Sequence, residues 1–386
     1  MPFRKSDVSE ERLRFAVAAS RKEKPLSHLA AEFGISRQTA YTWLQRYQAE
    51  GAAGVLVERS RSPHSRPQES VPDLVRAVIE LRRQFPDWGA RKLHHVLREQ
   101  RPDLGISVST THRILDRQGL IRDIDRHVPA LKRFERERPN ELWQMDFKGP
   151  KGFRHRRGPL SLMDDHSRYV LALEHLENAR VKAVQERLRA VFEEHGLPWQ
   201  MLLDHGTPWW NANSPWGWTE LTVWLMKLGI RVLLSGIRHP QTQGKIERMH
   251  GCLCSAIWKR RADADDQLWL DQFRHEYNHL RPHEALNMAT PASRWKPSPR
   301  LFPAQLSDWE YPSCFLPMQL NHSGQMQWQG RQWDISRALQ NELVGIQVNG
   351  ETALVYFCNT PVRELRLQTG QSVPLPMDPF RTLTCS

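Results

Sequence analysis

Three acidic residues draw attention through what surrounds them. Asp146 sits in "LWQMDFKG", where Trp143, Met145 and Phe147 alternate with Gln144, Asp146 and Lys148, the period of a half-buried strand. Asp204 ends the apolar run "WQMLLD", immediately before a glycine turn. Glu247 lies in "HPQTQGKIERMHG" (His239–Gly251), which reads as a glycine-containing loop turning into a helix near Thr242. In that helix Ile246, Met249, Leu253, Ala256 and Ile257 form a buried stripe; Glu247 is one step round from it, on the face of His250 and Cys254. Taken singly, each acid is most simply a solvated charge. Taken together, two strand positions and a helix can bring them to one end of a sheet. Three neighbouring carboxylates repel one another, and hard dications relieve that repulsion. Oxygen-only ligation is the pattern of Mg²⁺ or Mn²⁺, and two such ions serve in-line phosphoryl transfer.

The elements that must position these acids are legible as strands and helices. "LSLMDD" and "YVLALEHL" read as two more strands, followed by a helix from about Asn178 to His195. A helix in "TELTVWLMKLG" and a strand in "IRVLL" lead to the loop before Glu247. In the tail, "GQMQWQGRQWDIS" reads as two strands around Gly330, and "LVGIQVNGETALVYF" as a hairpin with Asn349-Gly350 in a type I′ turn.

Upstream the texture is helical and basic. The formal net charge is +12, and residues 1–138 carry 27 Lys+Arg against 18 Asp+Glu. A positive field concentrated in one part of a chain points to a polyanion such as nucleic acid. In "PLSHLAAEFGISRQTAYTWLQRYQAEG", Ser27 and Ser36 are candidate helix caps, Gly34 the tight turn and Ile35 a core plug. This helix-turn-helix pattern would present Arg37, Gln38, Thr39, Thr42 and Arg46 to base edges and phosphates. A second such unit follows the Ser/Pro/Arg-rich stretch 58–71; its last helix, capped by Ser109 and stopped at Gly119, would turn Thr110, Thr111, Arg113 and Arg117 outward.

At the motifs "WQMDFKG", "LMDDHSRYVLA", "LLDHGTPW" and "HPQTQGKIERMHG" the chain resembles the DDE transposases of bacterial insertion sequences, within the retroviral-integrase-like, RNase H-like superfamily. The resemblance covers nearly the whole chain. It implies a helix-turn-helix domain (1–57), a basic flexible linker (58–71), a second helix-turn-helix domain (72–122) and a connector (123–140). It further implies an α/β RNase H-like core with a mixed five-stranded sheet (141–298) and a small β-rich, barrel-like C-terminal domain (299–386). Asp146, Asp204 and Glu247 become the catalytic and metal-binding triad, with two Mg²⁺ or Mn²⁺ ions per site. The implied partners are terminal inverted repeats, target DNA and at least one further copy of the chain. Three departures stand out. The second and third acids are separated by 42 residues, more than is usual for the family. His205 follows the second acid where Asn is common, and Cys254 replaces a DNA-gripping Lys or Arg, for which Lys245 or Arg248 are the candidate substitutes.

Two other classes remain open on these residues: a DNA-binding regulator whose core is only a scaffold, and a metal-dependent nuclease without strand transfer. Five cysteines, odd in number and all beyond residue 250, make neither a disulfide framework nor a zinc site. No apolar run is long enough for a membrane span, and the first residues lack a secretory signal, so cytoplasmic residence in a bacterium is the expectation. The tryptophans Trp209, Trp210, Trp216 and Trp218 read as packing a loop onto its own domain, with stacking on unpaired bases as the alternative.

Overall fold

The structure, a computed structural model, describes residues 8–57, 70–121, 135–149, 153, 158–211, 217–235, 243–260 and 266–375. The expected linker lies almost wholly outside these residues, as do most of the expected connector, Trp216, Cys385 and the His239–Thr242 start of the loop before Glu247. The chain divides into two compact units, Met1–Glu69 and Ser70–Ser386.

In the first unit, α1 (Val8–Ser20), α2 (Leu26–Glu32), α3 (Arg37–Glu50) and the short α4 (Ala53–Leu56) enclose Phe15, Ala19, Leu29, Ala30 and Ala40. Gly34 makes the α2–α3 turn with φ +64°, a conformation open to residues without a Cβ. Ser36 caps α3 by accepting from the Thr39 amide at 3.1 Å. Ser27 caps nothing; α2 starts one residue earlier behind Pro25, whose fixed φ suits a helix entry.

The second unit opens with three helices, α5 (Pro72–Gln84), α6 (Ala90–Gln100) and α7 (Val108–Arg117), packed around Leu74, Val78, Leu81, Trp88, Leu93, Ile114 and Leu115. The cap of α7 is Ser107, not Ser109: its hydroxyl accepts from the Thr110 amide at 3.1 Å.

The core sheet consists of β1 (Trp143–Phe147), β2 (Leu160–Asp164), β3 (Val170–Glu174), β4 (Gln200–Leu203) and β5 (Arg231–Leu234), ordered β3-β2-β1-β4-β5. The β1–β2 and β2–β3 pairs are antiparallel; β1–β4 and β4–β5 are parallel, so the sheet is mixed as expected. One face packs α8 (Val181–His195) and α9 (Glu220–Lys227) over Trp143, Met145 and Leu162. The other packs α10 (Gly244–Arg260) and α11 (Asp266–His275) over Met163, Val170 and Leu173. Ile246, Met249, Leu253 and Ala256 are buried, the stripe expected of α10. Burial of Ile246, Met249 and Leu253 contributes roughly 1.5–3 kcal/mol each.

Among the described residues the C-terminal part is β-rich, and its strands do not close into the expected barrel. The strands β6 (Leu316–Gln319), β9 (Leu343–Asn349), β10 (Thr352–Phe357), β11 (Thr360–Arg366) and β12 (Gln371–Pro374) form an open antiparallel sheet, ordered β12-β11-β10-β9-β6, with β12 and β6 as free ends. A separate hairpin, β7 (Gln325–Trp328) and β8 (Arg331–Asp334), turns at Gly330 as expected. The β9–β10 turn sits one residue later than expected: Asn349 pairs with Thr352, and the loop is Gly350-Glu351. Only Gly350 of these two has positive φ (+62°), which is the type II′ pattern and not type I′. Val344, Ile346, Val355 and Leu365 share one continuous apolar cluster with Trp143 and Leu162, so this sheet is built onto the core and not tethered beside it.

Candidate active site

Strand register brings the first two acids together. In the parallel β1–β4 pair, Trp143 is opposite Met201 and Gln144 opposite Leu202. Continuing that register by two residues brings Asp204, just past the end of β4, level with Asp146. Neighbouring strands lie about 4.8 Å apart, and residues level on parallel strands share a face. That face of β1 is the one α10 covers, so the polar side of the strand is not a solvent side. Gln144 is fully buried and accepts the Ile246 amide of α10 at 3.3 Å. One residue on from Ile246, Glu247 stands exposed at the rim.

Asp146 and Glu247 line one cleft of about 320 Å³ together with Phe147, Lys148, Gly149, His250, Gly251 and Cys254. The Asp146 carboxyl is pushed up to about 7, first by burial and then by the charges of Asp204 and Glu247, with the Phe147 amide and Lys148 pulling the other way. Both of the other acids therefore act on Asp146. Among the cleft's described lining residues Lys148 faces two carboxylates, Asp146 and Glu247, and this excess of negative charge fits a hard divalent cation that Asp146, Asp204 and Glu247 would hold. Among the described residues no three His, Cys, Asp or Glu side chains stand close enough to hold one ion as they are.

Two of the acids, Asp204 and Asp146, have supports. Asp204 Oδ1 accepts from the Gly206 amide at 2.9 Å and from the Trp209 indole at 2.5 Å. Trp209 is itself buried and stacks on Phe147, the next residue after Asp146, with ring centroids 5.4 Å apart. Trp210 and Trp218 meet edge-on, and His205 meets Trp210, so the described tryptophans pack this loop onto its own domain. Below Asp146, Ser161 of β2 is its register partner and its hydroxyl lies 2.8 Å from His250 Nε2. His250 Nδ1 is 3.9 Å from Asp146 Oδ2, but burial and the Lys148 charge push the ring down to about 3. The ring is neutral, so this contact is not an ion pair.

The described fates of the expected DNA contacts differ. Arg37, Gln38 and Thr42 are exposed on α3, Thr39 is half-buried against Ser36, and Arg46 lies over the Trp43 ring at 4.9 Å. On α7, Arg113 and Arg117 are exposed and Thr110 half-buried. Thr111 does not face outward: it is fully buried and its hydroxyl donates to the Ser107 carbonyl at 3.0 Å. Arg248 is exposed, whereas Lys245 is turned inward onto Asp165. The cation that does line the cleft beside Cys254 is Lys148.

Asp165 and its neighbour Asp164 were not singled out as site residues in the sequence, although "LMDDHSR" contains both. Both are fully buried. Asp164 accepts from the Asn140 amide and from the Ser167 amide and hydroxyl; Asp165 accepts from the Gln144 amide group and the Arg136 backbone. A pair of acids ending an otherwise apolar strand was the available signal.

Known families match along this architecture. Residues 11–64 match a helix-turn-helix domain, 39–115 a homeodomain-like domain, and 136–240 and 228–291 two models of an integrase core domain. Residues 136–291 of the chain thus carry an integrase core domain. Helix-turn-helix modules followed by an integrase core make this a DNA-acting protein of transposase or integrase type. Similar solved structures include the simian T-cell lymphotropic virus intasome in complex with the PP2A regulatory subunit B56 gamma (16% identity, 77% of this chain and 96% of that one, TM-score 0.37). The HTLV-2 integrase catalytic core domain in complex with magnesium matches at 14% identity over 41% of this chain and 97% of that one, TM-score 0.32. The BIV integrase catalytic core domain matches at 17% identity over 40% and 92%, TM-score 0.32. Among the described residues no helix is long and apolar enough to cross a membrane.

Proposed function

We propose that this integrase-like protein is a DNA transposase that binds the terminal inverted repeats of its element and carries out strand cleavage and 3′-hydroxyl strand transfer into target DNA. Asp146, Asp204 and Glu247 are its catalytic and metal-binding residues. The observation that carries this reading is the Asp146 carboxyl, driven towards neutrality by burial and by two other acids in a cleft of an integrase core. Mg²⁺ or Mn²⁺, as a pair of ions, would supply Lewis acidity and activate the attacking oxygen. The chain's own residues do the rest. Trp209 and the Gly206 amide orient Asp204, the buried neutral His250 backs Asp146, and Lys148 offers a positive charge to a phosphate at the cleft mouth.

In this reading Arg37, Gln38 and Thr42 on α3, and Arg113 and Arg117 on α7, contact end DNA. Residues 1–57 and 72–122 are two reading modules joined by a linker, and at least two copies of the chain pair the two ends.

The test is incubation of the purified protein with end-sequence DNA and Mg²⁺. Joined products support the proposal. Nicks without joining would indicate a nuclease, and tight binding with no cleavage a regulator; Cys254 at the cleft is the feature favouring that last outcome.

A further inference from the structure

The segment between α5 and α6 is bolted to the integrase core. Asp87 and Arg281 form an ion pair at 2.5 Å with side chains 1% and 6% exposed. Next to it, the buried Trp88 donates its indole N–H to Glu276 Oε1 at 3.2 Å, and at the rim Arg91 meets Glu284 at 3.0 Å. Lys92 packs at the same seam, pushed down to about 8 by burial and by the Arg281 charge. A module held by a pliable tether would keep such charges in water. Here they are desolvated against one another, which only a defined orientation satisfies.

The seam is rigid on both sides. On the helix-turn-helix side, Arg82 donates to the Leu120 carbonyl at 2.8 Å, just past α7, and to the Trp88 carbonyl. Phe85 and Trp88 stack with centroids 3.8 Å apart. On the core side, Arg281 follows a π-helical turn, Glu276–Leu280, whose Asn278 side chain bonds both the amide and the carbonyl of Val170 in β3 at 2.9 Å. Arg281 also reaches Cys252 Sγ at 3.5 Å, on the same helix as Glu247. Contacts therefore run from Leu120, just past α7, through Arg82 to Trp88, and from its chain neighbour Asp87 through Arg281 to α10.

We propose that the second helix-turn-helix and the integrase core act as one reading-and-cutting body, in which the Asp87–Arg281 lock fixes how far from its α7-bound sequence a subunit cuts. This rests on the proposed transposase reading. Arg281 is then a positioning residue that sets the cut position without touching the reacting phosphate.

The test locks the seam. Arg91→Cys with Glu284→Cys, joined by a short bismaleimide and compared with each single-cysteine protein, is assayed for end-DNA affinity and for the cut position at nucleotide resolution. Unchanged affinity, with cutting at the wild-type phosphate and rate, is expected. Weakened affinity, or retained affinity with lost cutting, would overturn the inference, because the docked arrangement would then be a resting state. If the uncrosslinked protein itself cuts nothing, the transposase reading fails, while the affinity still judges the docking. As a complement, Arg281→Met should retain end binding, lose about a hundredfold in cutting at the correct phosphate, and scatter cuts onto its neighbours. Equal loss at an unshifted position would speak against a positioning role.

Discussion

Lys245 Nζ lies 2.5 Å from Asp165 Oδ2 and donates to the Asp165 backbone carbonyl at 3.0 Å. This pair pins the first turn of α10 to the end of β2, two residues before Glu247. Removing one partner leaves the other buried and uncompensated, which costs on the order of 3–5 kcal/mol. Lys245→Met should therefore lower unfolding stability by about that amount. It should also slow cutting while leaving end-DNA affinity unchanged, read by chemical denaturation and gel shift. A drop in DNA affinity alone, at full stability, would return Lys245 to the role of a DNA contact.

The raised Asp146 carboxyl sets a stability trend. Its folded-state value of about 7 lies above the ordinary aspartate value of 3.8, so the folded protein holds the proton more tightly than the unfolded chain. The resulting penalty is absent below about pH 4, grows as pH rises, and is complete above about 7. At about 1.4 kcal/mol per unit it amounts to a few kcal/mol at most. Asp146→Asn should raise Tm in chelator at pH 8 and not at pH 4, and should lose the Tm gain that Mg²⁺ gives the wild type. It should abolish cutting and leave end binding intact. Collapse of end binding would contradict the division of labour between the reading modules and the cleft.

Trp209→Phe keeps a ring against Phe147 but removes the indole donor from Asp204. Hydrogen bonds to charged groups contribute about 1.5–3 kcal/mol, so cutting should slow by roughly ten- to a hundredfold. Near-normal circular dichroism and end affinity are expected. A rate equal to wild type would mean that Asp204 needs no such support.

The exposed arginines of α3 and α7 give a salt-dependent signature. Arg37→Ala and Arg113→Ala should each weaken end binding and, where the contact is to phosphate, reduce the slope of log affinity against log salt by about 1. Thr111→Ser is the matched control: Thr111 is buried, so its salt slope should equal that of the wild type. A changed slope for Thr111→Ser would place it on the DNA after all.

Local pattern carried most of the architecture. The 3.6-residue stripe of α10 and the turns at Gly34 and Gly330 are nearest-neighbour properties, and each reappears in the fold, whereas "LWQMDFKG" forms the expected strand but is covered on its polar face as well. The three acids were legible because each sits in a stretch whose secondary structure is unambiguous. Long-range relationships decided the rest. Whether Lys245 faces DNA or Asp165, and whether Thr111 faces solvent or core, depends on what packs against one face of a helix. The barrel expected of the tail became an open sheet, because β12 and β6 do not pair and the tail's apolar face is satisfied by the core. Composition and periodicity name the elements and their polar faces. Only desolvation in the assembled fold determines which polar groups must find a partner, and hence that Asp87 meets Arg281 and that Asp146 feels the charges of Asp204 and Glu247.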